Sequence, residues 1–149
     1  MIFITRRSVD SQGVETPKSN NLYLTLSERI DSSLSKNLLF VFESDQQHTI
    51  SKIVFANGSS NVTFGDRFDE IRIVEGGTIT ESLTDQVKIS PAGFYSYKVY
   101  QQTSSTNFDV NDSSIVSLLE QGKLTILDTD ELTTKEHQNN VNNFIHINS

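Results

Sequence analysis

The 149-residue chain contains no cysteine, so it can form neither a disulfide bond nor a thiolate metal site. Clustered basic residues are also missing, and we expect the one adjacent basic pair, Arg6-Arg7, to be solvated. With 12 basic and 19 acidic residues, the formal net charge is −7. Proteins that bind nucleic acid or an anionic membrane use clustered Lys and Arg. The charge pattern therefore argues against direct contact with either, and it suits a partner with a basic face.

Long apolar segments are absent as well. Met1-Ile2-Phe3-Ile4 is a short apolar run followed by two arginines, whereas a secretory signal has its charge first and a longer apolar stretch after it. No segment approaches the roughly 20 apolar residues that a membrane-spanning helix requires. We therefore expect a soluble protein that is made in the cytoplasm of the cell that expresses it.

The sequence offers no pattern typical of catalysis or of cofactor binding. No serine lies in a nucleophile-elbow glycine pattern, and no glycine-rich loop has the form that binds phosphate. The three histidines, His48, His137 and His146, do not have the spacing of metal ligands. We expect no catalytic residue, no cofactor and no metal site.

Two acidic groups could carry chemistry in principle. Asp66 with Asp69-Glu70 could act as the paired carboxylates of a glycosidase, but a position beside a turn favours a solvated loop. Asp109, Asn111 and Asp112 have a spacing that suggests a calcium loop, without the glycine and the terminal glutamate of an EF-hand. Neither group predicts a site.

Apolar residues instead recur with the period of two that is typical of half-buried strands. Strands are predicted at residues 22–26, 38–42, 50–55, 68–74, 87–89, 94–100 and 123–127, and the denser apolar run at 38–42 is expected to be covered on both faces. The second and third of these form a predicted hairpin, and residues 115–122 fit either a strand or one helical turn closed by Gly122. Short strands with polar turns between them predict an antiparallel β-sandwich, Ig-like or jelly-roll-like, with flexible polar termini.

Composition along the chain divides it into three parts. Residues 1–20 form an N-terminal strand and polar arm, residues 21–128 the β-sandwich domain, and residues 129–149 a polar, Asn-rich C-terminal tail. The tail contains the apolar residues Phe144, Ile145 and Ile147. They fit either a stray edge strand or a segment that orders on a neighbouring subunit by adding a strand to it.

The clearest strand pattern runs from Phe94 to Tyr100 and places Tyr95 and Tyr97 on one face. If these tyrosines are exposed, their rings could stack on sugars or contact a partner, although aromatic residues of sandwich strands are more often buried. The predicted partner-binding residues are therefore Tyr95, Tyr97, Phe144, Ile145 and Ile147.

One stretch is more specific than composition. GFYSYKVYQQTSSTN at residues 93–107, followed by LLEQGKLTI at 118–126, resembles small virion proteins of tailed bacteriophages, in particular crAss-like and related phages of Bacteroidetes hosts. LYLTLSE at 22–28 and LFVFESD at 39–45 are similar to the same family. The resemblance spans residues 21–128, and its motifs contain no catalytic residue to carry over.

The resemblance implies a virion structural protein located in the particle in many copies. The preferred interpretation is a capsid auxiliary or decoration protein that binds the major capsid protein or other virion proteins. A tail or connector component is the second interpretation. A carbohydrate- or receptor-binding β-domain is the alternative from a different class.

Overall fold

In the computed structural model, the described residues 2–128 form twelve β-strands and no helix, which confirms the all-β prediction. The strands, in chain order, are β1 (Ile2–Thr5), β2 (Ser8–Val9), β3 (Glu15–Thr16), β4 (Lys18–Leu24), β5 (Asn37–Ser44), β6 (Ile50–Phe55), β7 (Val62–Phe64), β8 (Asp69–Glu75), β9 (Glu81–Ser82), β10 (Gln86–Val87), β11 (Gly93–Gln102) and β12 (Ile115–Leu127). Residues 115–122 are thus strand, and not the helical turn that was the alternative.

The larger sheet has six strands in the order β1-β12-β11-β5-β6-β9. Its four central strands are antiparallel, and the pairing of β5 with β6 confirms the predicted hairpin. The two edge strands differ, because β1 runs parallel to β12 and β9 runs parallel to β6. The predicted antiparallel pairing therefore holds in the centre of this sheet and not at its two edges.

The second sheet has the order β10-β8-β4, and β7 also pairs with β8. Strands β4 and β7 are antiparallel to β8, whereas β10 is parallel to it. The inner faces of the two sheets enclose one hydrophobic core, and buried residues alternate with more exposed ones along most of β8 and β11, whereas β5 is buried on both faces. Residues of this core include Ile4, Leu22, Leu24, Phe40, Phe42, Ile53, Phe55, Ile71, Ile73, Val99, Leu119, Leu124 and Ile126.

A buried ion pair fixes the N-terminal segment to the second sheet. Arg7 is 8% exposed and Glu75, at the end of β8, is fully buried. The guanidinium donates to both carboxylate oxygens of Glu75 at 3.0 and 3.2 Å, and to Glu15 at 2.9 Å. Burial alone would lower the pKa of Arg7, but the hydrogen bonds that it donates to Glu15 and Glu75, with their negative charges, outweigh burial and raise that pKa.

The same carboxylate organises two backbone segments. Glu75 accepts hydrogen bonds from the peptide N–H of Arg7 at 3.0 Å and from that of Ile89 at 2.9 Å. Arg6 bonds Asp128 at 3.2 Å. The expectation that Arg6-Arg7 is merely solvated is therefore wrong, because Glu75, 68 residues from Arg7 along the chain, contacts the Arg7 guanidinium in the folded protein.

The predicted N-terminal arm is also more ordered than its polarity suggested. Residues that were expected to be loop form the small β2–β3 hairpin, and β4 already begins at Lys18. Backbone pairing, which depends little on side-chain polarity, accounts for the difference. Residues 2–20, the predicted strand and arm, thus belong to the folded body. The predicted tail at 129–149 lies outside the described residues.

We predict that Glu75→Gln destabilises the protein strongly, because it leaves the buried Arg7 without its counter-charge. Removing one partner of a buried pair typically costs about 3–5 kcal/mol. Glu15→Gln, which removes the half-exposed partner of the same guanidinium, should cost less than about 1 kcal/mol. Urea unfolding of both variants measures the difference. Equal losses in the two variants would show that the pair does not anchor the segment.

Candidate interaction surface

Exposed aromatic side chains concentrate at one edge of the structure. Among residues 2–128, five aromatic side chains are exposed, and four of them, Phe3, Tyr23, Phe68 and Phe94, lie around β1. We call these four the β1 aromatic surface. Isolated exposed apolar residues are ordinary, but a contiguous group of aromatic ones is typical of a surface that binds another molecule.

The alternation of the strands explains why two of these rings face outward on the larger sheet. Ile4 is buried in the core, so its neighbour Phe3 points to solvent and is 54% exposed. Phe3 lies opposite Thr125 on β12, and Thr125 lies opposite Phe94 on β11. The two phenyl rings therefore stand in one outward row, about 10 Å apart across three strands.

The other two rings continue the surface onto the second sheet. Leu22 and Leu24 are buried, so Tyr23 points outward, where its ring meets Phe68 edge-on with centroids 5.3 Å apart. A groove of about 230 Å³ joins Tyr23 to Phe3. Its lining residues are Ile2, Phe3, Asn21, Leu22 and Tyr23.

The backbone of β1 is open along this groove. The N–H of Arg6 donates to Leu127 O at 2.8 Å, so the peptide groups of alternate residues point to β12, and those of Phe3 and Thr5 point away from it. Asn20 satisfies Thr5 with two side-chain hydrogen bonds at 2.8 and 2.9 Å. The N–H and C=O of Phe3 have no partner within residues 2–128. An unpaired edge of this kind can accept a further strand.

Tyr95 and Tyr97, predicted as partner-binding residues, are buried, at 1% and 7% exposure. The Tyr95 hydroxyl donates to the carbonyl of Pro91 at 2.6 Å, and the Tyr97 hydroxyl donates to Glu120 at 2.7 Å. Burial raises the pKa of both hydroxyls, and the Glu120 carboxylate raises that of Tyr97 further. Their rings contact the core, so the prediction that they meet a sugar or a partner is wrong for this fold.

Gly122 has a packing role that the sequence did not suggest. It pairs with Tyr97 across β11 and β12, and a Cβ at this position would lie 3.0 Å from the tyrosine ring. A larger residue here would therefore require the Tyr97 ring to shift by a few tenths of an ångström. Glu120, two residues earlier, also accepts hydrogen bonds from the N–H and the hydroxyl of Thr25.

The acidic residues have structural roles. Asp69 is fully buried, and its carboxylate accepts the peptide N–H groups of Leu26 and Ser27, both at 2.7 Å. The interpretation of Asp69 as part of a solvated loop is therefore wrong. Asp109 and Asp112 each accept the N–H group two residues further on, as in ordinary turns.

Within the part of the chain that the structure describes, no group of three His, Asp or Glu side chains is placed to hold a metal ion. The same residues include no helix with the length and hydrophobicity needed to cross a bilayer. Phe144, Ile145 and Ile147 lie outside the described residues. Sequence reasoning missed the β1 aromatic surface, although Tyr23 alternating with three leucines was a signal for one of its members.

Comparison with protein-family models, with curated proteins and with solved structures finds no match for this chain.

We predict that Tyr95 and Tyr97 lose their protons at a higher pH than a tyrosine free in water does. The unfolded chain deprotonates near pH 10 while the folded state holds both protons, so folding stability is complete below that pH and falls above it. Absorbance of tyrosinate measured against pH should show a late phase, which Tyr97→Phe reduces. A late phase unchanged by Tyr97→Phe would contradict the assignment.

Proposed function

We propose that this chain is a structural protein of a bacteriophage virion. In this proposal it is a capsid auxiliary or decoration protein that binds the assembled shell of major capsid protein in many copies and has no catalytic activity. The single observation that supports it best is the β1 aromatic surface, where the exposed rings of Phe3 and Tyr23 line a groove beside an open strand edge. The sequence resemblance supplies the identity of the partner.

The chemistry of this surface suits binding to a protein lattice. Aromatic residues are enriched at the centres of protein interfaces, with polar residues at the rim. Here the rim holds the ion pair of Lys123 with Asp45 at 3.0 Å, beside the outward face of β11. The binding free energy of each copy would be modest, but many copies bound over a shell would together stabilise it substantially. A protein that binds only the assembled shell stabilises that shell by mass action.

We propose further that the fold is an Ig-like sandwich rather than a jelly roll. The order β12-β11-β5-β6 corresponds to the G-F-C-C′ strands of an Ig variable-type domain, and β4-β8-β7 corresponds to B-E-D. The hydrogen bond from Tyr95, near the start of β11, to Pro91 has the geometry of the tyrosine corner of such domains. The short strands β9 and β10 depart from that pattern.

A tail or connector component remains the second candidate, because the resemblance applies to it equally. The carbohydrate-binding alternative loses its support with the burial of Tyr95 and Tyr97. The location of the protein in the particle separates the two virion candidates. Imaging of purified particles that carry labelled protein should show even labelling over the shell. Labelling at one vertex would favour the connector or tail, and its absence from particles would refute the virion role.

We predict that Phe3→Ser and Tyr23→Ser weaken binding to purified shells at least tenfold, since loss of an aromatic anchor typically costs about 2 kcal/mol or more. Both side chains are exposed, so the unfolding midpoint should change little. Phe64→Ser is the matched control. Phe64 is exposed like the other two residues, but it lies on β7, away from β1, with the Lys36 ammonium over its ring. Co-sedimentation with shells measures the affinities. An equal loss in all three variants would place the contact elsewhere.

A further inference from the structure

We infer that the outer face of the larger sheet carries a binding pocket for a small carboxylate with one apolar group of ring size. The pocket lies between β5, β6, β11 and the loop that joins β11 to β12, and its volume is about 190 Å³. None of its lining residues belongs to the β1 aromatic surface. The inference is therefore independent of the proposed virion role.

Val41 forms the floor of the pocket, between two lysines. Phe40 and Phe42 are buried in the core, so Val41 between them points outward. Val41 lies opposite Lys98 of β11 on one side and Lys52 of β6 on the other. Side chains that lie opposite each other in neighbouring strands share a face of the sheet, so both lysines flank Val41 on the outer face.

The loop between β11 and β12 forms the wall of the pocket. The Lys52 ammonium donates to the carbonyl oxygen of Phe108 at 2.8 Å, which holds this loop against the sheet. The loop brings Val110 to the pocket, together with Tyr100 and Ile50 from the strands. Val110 and Tyr100 are only half-buried, so the fold leaves apolar surface open inside the pocket. Concave, apolar and preformed sites of this kind are typical of small-molecule binding.

The charged and polar groups of the pocket favour an anion. Its lining holds two lysines and one acid, Glu43, in a protein whose formal net charge is −7. Glu43 lies 3.5 Å from Nδ1 of His48, and Lys52 is bonded to the loop. Among residues 2–128, the Lys98 ammonium and the Tyr100 hydroxyl have no hydrogen-bond partner. Both can donate, so they suit a ligand with a single negative charge and acceptor atoms only, such as a carboxylate.

The size of the pocket limits the apolar part of this ligand. An apolar cavity of about 150 Å³ holds benzene, so a pocket of about 190 Å³ has room for one ring. With the ring on Val41, a short chain would carry the carboxylate to the rim, where the long stem of Lys98 lets its ammonium meet it. The chemical class is therefore a short-chain carboxylate that carries an aryl or a similarly sized alkyl group.

Titration of the full-length protein with phenylpropionate, followed by amide chemical shifts, tests the inference. The amides of Val41, Tyr100 and Val110 should shift together, with one dissociation constant of about 1 mM, the range expected for a ligand of this size. The neutral phenylpropionamide should bind about fivefold more weakly, because it lacks the charge that Lys98 attracts. Shifts confined to other residues, or equal binding of the acid and the amide, would overturn the inference.

Substitutions check that the ligand lies in this pocket. Lys98→Gln should weaken phenylpropionate binding about fivefold, whereas Lys18→Gln, which removes an exposed charge from the other sheet, should leave it unchanged. Val110→Asp, which adds a negative charge to the wall, should weaken binding at least tenfold. Lys98 is exposed, so Lys98→Gln should leave the amide shifts away from the pocket unchanged. Equal affinities in the two lysine variants would show that Lys98 does not hold the carboxylate, and would refute the site.

Discussion

The buried contact between Arg7 and Glu75 determines where the N-terminal strand lies. Glu75 ends β8 in the smaller sheet, and Arg7 follows β1 in the larger one, so the ion pair ties the two sheets together at one end. Ile4, fully buried three residues before, completes the attachment. With β1 held parallel to β12, Phe3 must face outward beside Tyr23. The aromatic surface is a consequence of that anchoring.

Polar side chains buried elsewhere hold the loops in the same way. Gln101 is fully buried, and its amide binds the backbone of Asp31 and Ser35, which fixes the loop between β4 and β5. Gln102 does the same for the loop after β11 through Asn107. These glutamines and Gly122 lie in residues 93–107 and 118–126. Those stretches therefore encode the architecture of β11, β12 and their loops.

Local patterns in the sequence predicted local structure well. Period-two alternation placed the long strands, and the spacing of residues 38–55 gave the hairpin of β5 with β6. Interactions between distant residues were not predictable from the sequence. The groups that bond Arg7 and Asp69 lie far away along the chain, and no residue near either one indicates them. The parallel edge strands were missed for the same reason. Of the candidate binding residues, Tyr95 and Tyr97 were chosen by residue type, whereas exposure depends on which face the opposite sheet covers.

If the edge of β1 at Phe3 binds polypeptide, the Phe3 amide should be protected when the protein sits on a shell, since this N–H points away from β12. Hydrogen exchange measured in the free protein and in the protein bound to purified shells should be at least tenfold slower at Phe3 in the bound protein, and nearly unchanged at the exposed loop residue Ser60. Equal exchange rates at Phe3 in the two states would mean that no strand pairs there, and would refute the binding edge.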